Sequence, residues 1–144
     1  MRHLIPIIAA ILFFSSCDSS KMKETPTSQF VGTWKLTDRG MFDGIEMKVS
    51  QNDKGEIKGV VTRLNDDKYV QMFMEEGDLL LSGVKRNSNF EFVVSEKKIA
   101  APLFSAYGQG TTNEFKATFK NENTILLGGK GQSGSYVRVN STSN

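Results

Sequence analysis

From Phe30 onward the chain alternates. Phe30, Gly32, Trp34 and Leu36 fall on one side of an extended segment, with Val31, Thr33, Lys35 and Thr37 on the other, the two-residue period of a half-buried strand. Ile45, Met47 and Val49 repeat the pattern against Glu46, Lys48 and Ser50. Asn52-Asp53-Lys54-Gly55 then predicts a tight turn into a returning strand over 56–64, because glycine and asparagine tolerate positive φ. After the turn Asn65-Asp66-Asp67, the segment Tyr69 to Glu75 reads as a strand covered on both faces, since Val70, Met72, Phe73 and Met74 leave it no polar side. Strands follow over 78–85, then with Phe90, Phe92 and Val94 on one face, then with Phe115, Ala117 and Phe119 set against Glu114, Lys116, Thr118 and Lys120. Segments 124–127 and 135–139 close the series around the glycine-rich stretch Gly128 to Gly134. The pattern fails only at Ile99 to Gly108, apolar and containing Pro102, which reads as a short helix or an apolar loop. Eight or nine short strands at hairpin spacing, with no long helix, predict an all-β domain. Its expected form is a small eight- to nine-stranded antiparallel up-and-down barrel, because closure removes exposed strand edges.

The first residues follow a different pattern. Arg2-His3 precedes the apolar run Leu4 to Phe14, and Ser15, Ser16 and Cys17 follow, the layout of a secretory signal. At a helical rise this run reaches about 16 Å, roughly half of a hydrocarbon core, so it is too short for a permanent span. Residues 18–29 are polar with one proline and no apolar period, which reads as a flexible tether. The expected organisation is a signal peptide over 1–16, Cys17 and a tether over 17–29, one barrel domain over 30–140 and a tail over 141–144. About 110 residues suffice for one core and not for two.

Composition narrows the chemistry. The chain has 18 Lys and Arg, 16 Asp and Glu, and one His; without residues 1–16, which hold Arg2 and His3, 17 basic side chains face 16 acidic ones. So balanced a surface exerts little pull on nucleic acid. His3 and Cys17 are the sole histidine and cysteine, which removes His- and Cys-based nucleophile systems, zinc and haem sites and disulfides from the domain. Asp66-Asp67 and Glu75-Glu76-Asp78 sit at predicted turns without the alternating ligand spacing of an EF-hand, so they read as solvated charge. No catalytic residue, metal site or cofactor is expected, and the chain is not read as an enzyme.

Cys17, preceded by small residues at the point where cleavage falls, resembles the lipobox of bacterial lipoproteins, although Phe14 stands where that family usually has an aliphatic residue. The resemblance implies that Cys17 is acylated, with chains such as palmitate, and that the mature protein is anchored in a membrane of the bacterial cell envelope. Each buried methylene contributes roughly 0.8 kcal/mol to such an anchor. Asp18 resembles an inner-membrane retention signal whose rule does not hold across bacterial groups, so the inner and outer membranes both stay open.

Gly32-Thr33-Trp34 resembles the Gly-x-Trp signature of lipocalins and related calycin barrels, and Arg138 in the last strand matches the family arginine that packs over that tryptophan. The resemblance implies a structural end plug made of Gly32, Trp34 and Arg138. The family's second motif, a Thr-Asp-Tyr segment, is absent. Avidins share a Gly-Thr-Trp opening strand, but their biotin sites rely on several tryptophans and this chain has one.

The aromatic and methionine content of the strands points to a small apolar or amphipathic ligand, with Met72, Met74, Phe90, Phe92, Phe115 and Phe119 as candidate lining of a lumen. A barrel of eight strands is equally suited to being filled by those side chains. Phe104 and Tyr107 in the 99–110 segment are candidates for a lid over the ligand. In the alternative reading, that segment is the contact surface of an interaction or inhibitor module with a protein partner in the envelope. Cys17→Ala is expected to release the protein from membranes; unchanged sedimentation with the membrane fraction would refute the anchor.

Overall fold

The computed structural model describes residues 23–129 and 134–140. The signal segment, Cys17 and the tail 141–144 lie outside the described residues. Eight strands run β1 Gly32–Thr37, β2 Glu46–Gln51, β3 Ile57–Arg63, β4 Leu79–Arg86, β5 Glu91–Lys97, β6 Thr112–Asn121, β7 Thr124–Gly128 and β8 Gly134–Arg138. Each pairs antiparallel with the next, and β8 pairs back onto β1, so the sheet closes into an up-and-down barrel. Closure sets Trp34 opposite Arg138 and Leu36 opposite Tyr136. The inward positions are those of the sequence alternation: Trp34 and Leu36, Met47 and Val49, Phe92 and Val94, Phe115 and Ala117, and Ile125 and Leu127 are all buried. Where Leu80 and Leu81 are both buried, a register shift between Leu81 and Gly83 breaks the period.

One end of the barrel is sealed from the N-terminal side. A 3-10 turn, Thr27–Phe30, crosses it and drives the Phe30 ring into the core, edge-on to Phe92 at 5.0 Å and to Phe119 at 4.8 Å. Trp34 Nε1 donates to the Phe30 carbonyl at 2.6 Å. The Arg138 guanidinium lies 4.2 Å from the centre of the Trp34 ring, a contact that contributes about 0.5–2 kcal/mol. It donates to the carbonyls of Val31, Gln29 and Glu122 at 2.9, 2.9 and 3.1 Å. Gly32, at φ +141°, leaves the space: a Cβ there would collide with Arg138 Nη1.

The structure corrects three expectations. Tyr69–Glu75 is not a strand: Lys68–Phe73 forms a helix, α1. The Asp67 carboxylate accepts from the N–H groups of Tyr69 and Val70 at 2.8 and 3.1 Å, which makes the predicted turn a helix N-cap. Val70 and Met74, four residues apart, are its buried contacts, while Met72 is 68 % exposed and Tyr69 and Phe73 also face outward. The chain read as a flexible tether up to Gln29 is bound to the barrel from Glu24 onward. Arg86 pairs with Glu24 at 3.4 Å and donates to the Thr25 carbonyl at 2.6 Å, and Thr25 N–H donates to Asn89 at 2.9 Å. Phe30, counted with the first strand, belongs to the 3-10 turn that precedes it. In the segment with two open readings, Ala101–Ala106 is a helix, α2, with Pro102 in its first turn, where a missing N–H is tolerated.

Trp34→Ala removes the largest fully buried side chain and strips the ring from under Arg138. A loss of about 3–5 kcal/mol of unfolding free energy is expected, read from urea denaturation.

Candidate functional site

The opposite end of the barrel is built differently. There β1 leads into Asp38 and Arg39, followed by the 3-10 turn Gly40–Phe42, and the 98–111 segment carrying α2 joins β5 to β6. Asp38 takes a positive φ of 55°, and its N–H donates to Asp43 Oδ1 at 2.7 Å. This turn sends the Arg39 side chain back over the barrel mouth. Gly134, at the start of β8, makes room: a Cβ there would collide with Arg39 Cδ and with the carbonyls of Asp38 and Thr37.

Arg39 meets a carboxylate that comes from the barrel wall. Glu96 follows Phe92 and Val94 in the inward alternation of β5 and is a charged residue buried in the core. Arg39 Nη2 donates to Glu96 Oε2 at 2.5 Å, with the two side chains 4 % and 2 % exposed. The guanidinium also covers the Phe115 ring at 4.3 Å. The Tyr136 hydroxyl, inward on β8, donates to Glu96 Oε1. Both oxygens of Glu96 are therefore in use. Removing one partner of such a buried pair costs about 3–5 kcal/mol, because the other charge is left uncompensated. The arginine is not saturated: its Nε is buried with no hydrogen-bond partner among the described residues, and an unmade buried donor costs about 1–3 kcal/mol.

Burial pushes the Tyr136 hydroxyl well above the ordinary tyrosine range; the Glu96 charge and hydrogen bond push it further, and Arg39 partly offsets them. Tyr136 is thus held as a neutral donor.

Above this cluster lies a cleft of about 640 Å³. Phe42, Ile99, Phe104 and Phe115 supply its apolar lining, and Arg39, Glu96, Lys98 and Asn113 its polar groups, with exposed Asp38 beside them. The Lys98 ammonium lies over the Phe104 ring at 4.8 Å. Among the described residues no group of three or more Asp, Glu, His or Cys could hold a metal ion.

Of the residues read from sequence as ligand lining, Phe104 and Phe115 line this cleft. Phe92 and Phe119 instead pack with Phe30 toward the sealed end, where they fill the interior. Met74, the residue that caps the C-terminus of α1, is buried. Met72, Phe90 and Tyr107 are exposed, because Met72 sits on the outer side of a helix, Phe90 in the β4–β5 turn and Tyr107 at the C-terminal end of α2. Met72, Phe90 and Tyr107, like Met74, Phe92 and Phe119, are therefore not part of the cleft lining.

Sequence reasoning missed Arg39, Glu96 and Tyr136. A signal existed for two of them: Glu96 continues the Phe92-Val94 face, and Tyr136 shares a face with Arg138. Arg39 lies in a turn, where no periodicity marks it.

A tyrosine whose folded-state pKa is raised stabilises the fold fully below its unfolded value, near 10, and loses that contribution as pH rises through the folded value. Urea stability of the unaltered chain is therefore expected to fall more steeply above about pH 10 than that of Tyr136→Phe. Parallel profiles would show that Tyr136 does not carry the effect. Comparisons with protein-family models, with curated proteins and with solved structures returned no match.

Proposed function

We propose that this chain is a bacterial envelope lipoprotein, anchored through acylated Cys17, whose lipocalin-like barrel binds a small apolar or amphipathic molecule. The observation that carries the reading is the cleft of about 640 Å³ at the unsealed end. That volume lies within the range of about 300–1,000 Å³ usual for small-molecule sites. An apolar wall with a few convergent polar groups at its base is the composition such sites have. The ligand position differs from a deep lumen: the inward aromatics near Trp34 fill the barrel, and binding is confined to the mouth.

The lipocalin-like reading is supported by eight antiparallel strands in consecutive order and by the Arg138 guanidinium over Trp34 beside Gly32. The anchor reading is compatible with the way the chain arrives. Residues 24–30 are bound across the sealed end, so a tether leading from Cys17 meets the barrel at the end opposite the cleft. The mouth then faces away from the anchoring membrane.

A second reading, an interaction module for an envelope protein, draws on α2, where Leu103 is 55 % exposed and Tyr107 81 % exposed. Native mass spectrometry of protein purified from its own membrane separates the two. A retained mass of a small amphiphile, lost in Phe104→Asp, is the expected result. No retained mass, together with a co-purifying protein that disappears in Leu103→Asp with Tyr107→Asp, would replace the ligand reading by the interaction reading.

A further inference from the structure

Helix α1 carries apolar side chains on two faces. Val70 and Met74 are buried, and Tyr69, Met72 and Phe73, spaced i, i+3 and i+4, share the face turned to solvent. Met41 is exposed on the neighbouring turn Gly40–Phe42, which packs beside α1. These four side chains are 44 % to 68 % exposed. The backbone that presents them is tied down: Asn65 Nδ2 donates to the carbonyls of Met41 and Asp43, each at 2.7 Å, and Gln71 Nε2 donates to the Asn65 carbonyl at 3.0 Å. A single exposed apolar residue is ordinary, but four on adjoining, fixed elements mark a surface that another molecule covers.

Charge selects among the occupants. The connection 64–78 carries Asp66, Asp67, Glu75, Glu76 and Asp78 against one base, Lys68, and the Lys68 ammonium lies over the Tyr69 ring at 4.9 Å. None of the five carboxylates has an ion-pair partner among the described residues. Asp67 and Asp78 accept from backbone N–H groups of their own connection, while Asp66, Glu75 and Glu76 are exposed at the two ends of α1. An anionic bilayer surface is repelled by that charge, and α1 lacks the lysine-rich polar flank of an interfacial helix. A second copy docked face to face would set the same carboxylates against each other. A protein surface with aliphatic side chains bordered by lysine or arginine complements both the apolar face and its charge.

We propose that the α1 face, Met41, Tyr69, Met72 and Phe73 within a border of Asp66, Glu75 and Glu76, docks a basic amphipathic segment of a protein partner. Apolar burial supplies the contact, and the carboxylates steer the approach and exclude acidic partners. The surface is distinct from the α2 side chains Leu103 and Tyr107, and the proposal does not rest on the reading of the cleft as a ligand site. Four partly exposed side chains make a small contact, so the complex is a weak and rapidly exchanging one.

The test is fluorescence anisotropy with two short labelled peptides of leucine at helical spacing, one with lysine and one with glutamate at the remaining positions, titrated with the full chain carrying Cys17→Ala. The lysine peptide is expected to bind at least about tenfold more tightly, and to lose at least about fivefold in affinity on Met72→Ser with Phe73→Ser. Glu75→Gln with Glu76→Gln is expected to weaken it about threefold at low salt and to flatten its salt dependence. Both pairs of changes lie at exposed positions, and an unchanged urea midpoint verifies that each variant folds. Equal binding of the two peptides, or lysine-peptide binding that Met72→Ser with Phe73→Ser does not move, would overturn the proposal. So would self-association in sedimentation, or binding to phosphatidylglycerol vesicles, that the same pair of changes abolishes: the occupant would then be a second copy of this chain or a lipid surface.

Discussion

The antiparallel pairing of the first and last strands governs both ends of this molecule. It places Arg138 beside Trp34 at one end, and two residues along the same ladder it places Tyr136 beside Leu36, with its hydroxyl on Glu96. Gly32 and Gly134 lie in these same two strands, and each leaves the volume through which an arginine side chain passes. Closure thus creates the sealed end and the polar base of the open end in one step, and a one-residue slip would turn both sets of side chains out of the barrel.

The two arginines are used in opposite ways. Arg138 spans an indole and donates to three backbone carbonyls that belong to the N-terminal crossing and to the β6–β7 turn. Each of its three nitrogens has a carbonyl partner, and two of the bonds tie the last strand to the N-terminal crossing, which is the profile of a structural plug. Arg39 spans a phenyl ring and commits one nitrogen to Glu96, leaving Nε buried and unpaired. A buried donor without a partner is costly, and Arg39 is also one of the residues that line the cleft. Hydrogen-bond accounting, more than charge or aromatic content, separates the two ends: every guanidinium nitrogen of Arg138 has a carbonyl partner, and Nε of Arg39 has none among the described residues.

The open end is also where apolar side chains reach solvent. Leu103 on α2, Tyr107 at its C-terminal end, and Met72 and Phe73 on α1 are exposed on connections between strands. On the wall, Val60, Leu126 and Val137 also reach solvent, among outward residues that are otherwise mostly charged or hydroxylated. The larger exposed apolar side chains of the open end are thus carried on loops over a closed sheet.

The barrel was legible in the sequence because a strand's side chains alternate with a period of two, and eight amphipathic segments joined by turns can bury their inner faces only by closing. Trp34 and Arg138 were legible for a related reason: each is a conspicuous residue on the inward face of a recognisable strand. What the tertiary structure alone decided is which inward residues fill the barrel and which line a cavity, since Phe92 and Phe115 follow the same alternation yet end in the packed interior and at the mouth respectively. The Tyr69–Glu75 segment turned on a cap: an apolar run of that length suits strand or helix equally, and the Asp67 carboxylate on two backbone N–H groups selects the helix. Arg39 was invisible because it sits in a turn, where no periodic constraint assigns a direction. Its partner Glu96 is 57 residues away, and only barrel closure brings the two together.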